Sequence, residues 1–217
     1  GYANSLYSNY MPKYLRDKMK KIPDFDVLTE DPKSSATIVK ERLGYDGIKN
    51  VNIKKHKPIG ELVSEHYSIT AGGETVVFLY KPNACHSYNI LKTAKSKIKI
   101  ATIDTMLSMY LAFLYSKRDY FEPDRIICMA QYLFTVQQKN RLEQKGLLRR
   151  FSLSCYGKQE TLEGMRALKA EKFEELKGKR GTDEYEEWFL KYTPGIEGVK
   201  KVKDKKMKKS KKSKKRK

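Results

Sequence analysis

No run of this sequence approaches the ~18 consecutive apolar residues that a membrane-crossing helix needs, and no signal-peptide pattern is visible. A membrane is therefore not an expected partner. Cysteine is scarce: Cys85, Cys128 and Cys155 are too few and too scattered for a disulfide framework or a zinc site, so the chain reads as intracellular. There is no initiating methionine; the chain opens on Gly1, and the expectation is a fragment of a longer protein. Acidic residues are in deficit, 26 against 46 Lys and Arg, which leaves a net charge of +20.

That excess is not evenly spread. Lys200–Lys217 holds thirteen basic residues against Asp204 alone, and the other residues still hold 33 basic and 25 acidic side chains. A basic body with a basic tail favours nucleic acid over an acidic protein or a membrane surface. The Lys/Ser composition marks residues 195–217 as disordered. Such a tail suits salt-sensitive, sequence-blind attraction to RNA, or nuclear import. At 39% hydrophobic and 33% charged, the 217 residues suffice for one good core, or one domain with appendages.

The stretch Ile22-Pro23-Asp24-Phe25-Asp26-Val27-Leu28-Thr29 alternates carboxylates with apolar residues and reads as a short strand. In a strand, residues i and i+2 share a face, so Asp24 and Asp26 project side by side. Two such carboxylates can face solvent, or can hold Mg²⁺ together with substrate phosphates. Asp31-Pro32 then caps a helix that Gly44 stops. Val51 and Ile53 mark a strand, and Ala71-Gly72-Gly73 sits between two more as a hairpin. Beyond this α/β part (residues 1–98) the chain reads as helical (99–194). One helix, apolar nearly all round, starts at Thr102 or Asp104 and runs to about Tyr115. A second runs from Pro123 to roughly Lys145. A loop or short strand spans Phe151–Gly157, a charged helix covers Thr161–Lys177, and Thr182 caps a last helix with Tyr185, Trp188, Phe189 and Tyr192 on one face. The expected fold class is α+β: a mixed sheet with helices, then a helical region and a disordered basic tail.

In that order, a Gly-led helix, an Asp-x-Asp strand, a helix and a hairpin resemble the nucleotidyltransferase fold. Several segments are similar to the poly(A) polymerase catalytic subunits of nucleocytoplasmic large DNA viruses, the mimivirus-like ones above all. They are Asp24–Pro32, Ala84-Cys85-His86-Ser87-Tyr88-Asn89, Ile100–Ser108, Gln137–Leu148 and Glu184–Tyr192. The likeness runs from Gly1 to about Pro194. It implies template-independent transfer of AMP from ATP to an RNA 3′ end, with Asp24 and Asp26 binding two Mg²⁺ (or Mn²⁺). It also implies Gly1 as half of a glycine pair that receives the nucleotide phosphates, with Ser5 nearby. The implied partners are the RNA 3′ end, ATP, and a second copy or a viral processivity factor. The implied place is the host cytoplasm (a viral factory) or the virion.

One departure stands out. Such sites use a third carboxylate on a later strand, and the run Phe78-Leu79-Tyr80 into Ala84-Cys85-His86 contains none; Glu65 and Glu74 are the nearest in sequence. The resemblance also implies two nucleotidyltransferase-like halves, so this chain is either an active copy or a degenerate one serving RNA binding or dimerisation. Arg141, Lys145, Arg149 and Arg150, with Gln137, Gln138 and Asn140, suit phosphate and sugar contacts or a plain solvated face. Fifteen tyrosines offer stacking platforms or core. Cys85 and His86 are adjacent in an extended run and point to opposite faces, so they do not form a nucleophile pair.

Overall fold

The aspartate stretch becomes β1 (Phe25–Leu28), the end strand of a four-stranded sheet ordered β1-β4-β3-β2. The computed structural model describes residues 1–11, 13, 24–94 and 96–189. β2 (Val51–His56), β3 (His66–Ala71) and β4 (Glu74–Tyr80) pair antiparallel, and β1 joins β4 in parallel. Gly72 and Gly73, both at positive φ (59° and 89°), supply the tight turn between β3 and β4.

Between β1 and β2 runs α2 (Pro32–Tyr45). Pro32 is preorganised for the first turn, and the Ser34 N–H donates to Asp31 Oδ1 at 3.0 Å. The helix passes through Gly44 and ends at Tyr45 rather than stopping at the glycine. It covers one face of the sheet with Ala36, against Val51, Tyr67, Ile69 and Leu79.

The opposite face is covered by α1 (Tyr2–Tyr7), α3 (Ile103–Ser116) and α4 (Pro123–Lys139). Thr102 caps α3 by accepting from the Thr105 N–H. Tyr7, Leu133 and Val136 are fully buried here, and each aliphatic side chain so buried contributes roughly 1.5–3 kcal/mol. α3 is not buried all round: Leu111 and Tyr115 stay exposed on its outer side. α4 ends at Lys139 instead of Lys145, because Asn140 turns its amide back to donate to the Val136 carbonyl at 2.8 Å. No described helix is long and apolar enough to cross a membrane.

A second sheet, ordered β6-β5-β7, departs from the sequence reading. β5 (His86–Lys92) and β6 (Lys97–Ala101) form a hairpin, and β7 (Cys155–Tyr156) pairs with the start of β5. Residue 99, where the helical region is expected to begin, lies inside β6; helix starts at Ile103. The cysteine reading is also corrected. Cys85 and Cys155, 70 residues apart, are joined by a disulfide with Cα atoms 5.3 Å apart, leaving Cys128 free and exposed. α5 (Leu162–Leu176) and α6 (Asp183–Phe189) follow; Thr182 caps α6 as expected, and Thr161, expected inside its helix, is the cap of α5. Tyr185 is buried and its ring lies 4.6 Å from that of Phe189. Tyr192 and the basic stretch 195–217 lie outside the described residues.

Candidate functional site

Register decides what surrounds the aspartates. Asp26 sits opposite Phe78 on β4, and Leu28 opposite Tyr80, so Asp26, Phe78 and Tyr80 share the face turned toward α3 and α4. Asp24 and Asp26 line one cavity of about 360 Å³ together with Asp119, Glu122 and Arg125. The side-by-side projection expected from the Asp-x-Asp spacing is therefore met.

Gly1 closes on them from α1. The Tyr2 N–H donates to the Asp24 carbonyl at 2.8 Å, and the Tyr2 ring lies 4.9 Å from Phe25. A β-carbon on Gly1 would fall 2.1 Å from that carbonyl oxygen and 2.8 Å from Asp26 Oδ2. Only glycine allows α1 to approach β1 so closely. Ser5 is elsewhere engaged: its hydroxyl donates to the Tyr2 carbonyl at 2.7 Å within α1. Asn4, on the same helix, is fully buried with neither amide atom hydrogen-bonded among the described residues.

The carboxylates are held by groups other than a third acid. Arg125 Nη2 donates to Asp24 Oδ1 at 2.8 Å. The Tyr80 hydroxyl points at Asp26 Oδ1 from 3.5 Å. Desolvation in the cavity, with Asp24 adding repulsion, raises the Asp26 pKa above the ordinary carboxylate value, although about a third of the side chain stays exposed (32%). Burial first, and then the Asp26 charge, push the Tyr80 phenol up.

Among the described residues no group of three or more His, Cys, Asp or Glu side chains could hold a metal ion. The β4 positions facing Asp26 carry aromatic rings, and both candidate glutamates lie elsewhere. Glu65 pairs with Lys55 at 2.6 Å beside β2, and Glu74 opens β4 at the exposed hairpin turn. The donor set among the described residues does not fit a two-metal clamp. In its place an aromatic seam runs across the sheet: Tyr80 to His66 (5.1 Å), His66 to His56 (4.8 Å), and Phe113 to Phe121 (4.2 Å) beside them.

The basic residues read as an RNA path are not gathered here. Arg141 and Lys145 are exposed in the turn after α4. Arg150 pairs with Asp104 at 3.3 Å, and Arg149 follows the buried Leu147 and Leu148. Gln137 is buried and donates to Asp104, and Asn140 is spent on its own helix end.

A second cavity, about 350 Å³, is also lined by Asp26, with His86, Tyr88, Lys99 and Tyr156 over an apolar floor that includes Met106. The sequence reading missed its wall. The alternation Lys97-Ile98-Lys99-Ile100 was the available signal for β6, since lysine and isoleucine take opposite faces there.

No protein-family description matches this chain, and no curated protein matches it. Among solved structures, the chain is similar to the crystal structure of the Megavirus polyadenylate synthase, with a TM-score of 0.56 at 14% identity. The match covers 95% of this chain and 43% of that one, so the chain spans less than half the length of its structural neighbour. At that identity the likeness establishes the fold: α+β, with a nucleotidyltransferase-like mixed sheet.

Proposed function

We propose that this chain is a nucleotidyltransferase-fold part of a viral-type polyadenylate synthase, and that it holds RNA rather than transferring AMP itself. The observation that carries this reading is the replacement of the third acid by rings: Phe78 and Tyr80 occupy the β4 face beside Asp26. Arg125 supports it, because an ion-paired Asp24 is less free to receive a metal. The net charge of +20 supplies the attraction to RNA phosphates.

One observation favours an active copy: Gly1 is pressed against the Asp24 backbone and the Asp26 carboxylate, the position the resemblance gives to half of a phosphate-receiving glycine pair. On that reading ATP is the substrate and Mg²⁺ or Mn²⁺ the cofactor, with Asp24 and Asp26 as ligands.

Primer extension separates the two. Labelled oligo(A) RNA, ATP and Mg²⁺ or Mn²⁺ are given to the wild-type chain and to Asp24→Asn/Asp26→Asn. RNA binding without extension in either protein is the expected result. Tails that grow in the wild type and vanish in the variant would overturn the RNA-holding reading in favour of catalysis.

A further inference from the structure

The small sheet presents one face whose composition is unlike the rest of the surface. By register, Tyr88, Ile90 and Lys92 of β5 share that face with Lys99 and Lys97 of β6, because Ile90 lies opposite Lys99 and Lys92 opposite Lys97. β7 adds Tyr156, opposite His86. Asn89 and Ile100, which alternate with them, point the other way and are buried. The result is two tyrosine rings at one end and three exposed lysines toward the other.

Lys99 joins the two parts. Its ammonium lies 5.0 Å from the centroid of Tyr88 and 5.3 Å from that of Tyr156. Both rings also line the 350 Å³ cavity next to Asp26.

Tyr156 is fixed with unusual thoroughness for a residue in a two-residue strand. The Cys85–Cys155 disulfide ties the preceding residue to the start of β5. The Glu30 N–H donates to the Tyr156 hydroxyl at 3.3 Å. Gly157, at φ +100°, lies so close to the Ala84 carbonyl that a β-carbon there would come within 2.3 Å of its oxygen. The side chain that all of this positions on the shared face is one phenol ring.

We infer that this face is a binding platform for single-stranded nucleic acid, with bases stacked on Tyr88 and Tyr156 and phosphates taken by Lys97, Lys99 and Lys92. The inference rests on the RNA-holding reading above and places that contact. Flat rings accept any base by its π-face, and lysines accept the backbone. Lys99 is the exchangeable group: a stacked base is held more firmly than an exposed ammonium, whose flexible stem carries it to the neighbouring phosphate. A duplex keeps its bases stacked inside and cannot use the rings. The platform also lies on the opposite side of β5 from the Arg149 carbonyl, which accepts from Asn89, so the path is not the arginine-rich turn.

The test uses the full chain and an oligo(U) RNA of about a dozen nucleotides carrying 5-iodouridine. Photo-cross-links mapped by mass spectrometry are expected on Tyr88 and Tyr156. Tyr88→Ala and Tyr156→Ala should each weaken binding about tenfold, and the corresponding Phe variants should stay within about twofold, because stacking needs the ring and not the hydroxyl. Lys97→Gln with Lys99→Gln should lower the salt slope by about 1.4, at about 0.7 per phosphate contact. Thermal melts of the Phe variants control for folding, and the wild-type cross-link map needs no variant.

RNA binding with cross-links confined to residues 195–217 or to the arginine-rich turn overturns the platform and leaves the RNA-holding reading standing. Equal affinity for duplex RNA, or full competition by poly-glutamate with no tyrosine cross-link, overturns it as well. No RNA binding at all overturns both.

Discussion

Arg125 and Asp24 meet across 2.8 Å, and the contact ties α4 to the end of the sheet. The arginine side chain is about half exposed, so its worth is that of a partly screened pair, about 0.5–1 kcal/mol. A double-mutant cycle of Asp24→Asn and Arg125→Gln, followed by urea unfolding, should return a coupling of that size. It should shrink at high salt. A coupling near zero at low salt would show that the two side chains do not hold one another.

The two stacked histidines make stability depend on pH. His56, buried, with its Nε2 2.9 Å from the Ser68 hydroxyl, has its pKa pushed down to about 4 by burial, then by the neighbouring His66 and Lys54. His66, with Tyr120 on one ring nitrogen and the Ser64 carbonyl on the other, is lowered mainly by burial. The unfolded chain therefore binds more protons than the folded one from about pH 6.5 down to about 4. The stabilisation is complete above that window and is lost as pH falls through it, on the order of 3 kcal/mol for His56. Urea midpoints across this range should fall with acid, and His56→Gln should flatten the slope. An unchanged slope in the variant would assign the acid response to other groups.

Reducing the Cys85–Cys155 bond should cost about 2–4 kcal/mol, since it closes a long loop in the unfolded chain. Unfolding midpoints with and without reductant measure this directly. Cys128→Ser should leave the difference intact, as that thiol is free.

Gly157→Ala should lower the melting temperature by several degrees. Its positive φ disfavours any side chain, and a β-carbon meets the Ala84 carbonyl and the Pro82 ring. The loss expected is about 2 kcal/mol. A variant as stable as the wild type would mean that β7 shifts freely, contrary to its triple anchoring.

Asn4→Leu should stabilise. The buried amide has no hydrogen-bond partner among the described residues, and an unpaired buried polar group costs about 1–3 kcal/mol. A rise in melting temperature with retained fold, read by circular dichroism, is the expected result; a fall would show that the amide is used.

The main sheet and most helix starts were legible because their signals are local. Asp31-Pro32, Thr102 and Thr161 name helix entries through a single side chain accepting a backbone N–H. Gly72-Gly73 marks its own turn. Apart from β6, whose alternation was local, what escaped was non-local. The Cys85–Cys155 pair and the β5–β7 pairing join residues about 70 positions apart, and nothing near either partner announces the other. For the aspartates, their shared face and the lack of an acid in Phe78-Leu79-Tyr80 were both legible; what needed the register was which rings, Phe78 and Tyr80, stand beside Asp26. Arg125 is a helix residue with no local mark of its contact with Asp24.

The position of β1 gives its two aspartates a role that does not depend on chemistry at all. A strand at the end of a sheet leaves one row of backbone groups open to pairing with another molecule, and Phe25 and Val27 are exposed there. Shortness and inward-turned charge are the means by which such strands resist stacking into aggregates. β1 has four residues, and Asp26 points inward from it. Neutralising the pair should thus make the protein less soluble at high concentration, even where no nucleotide is ever transferred.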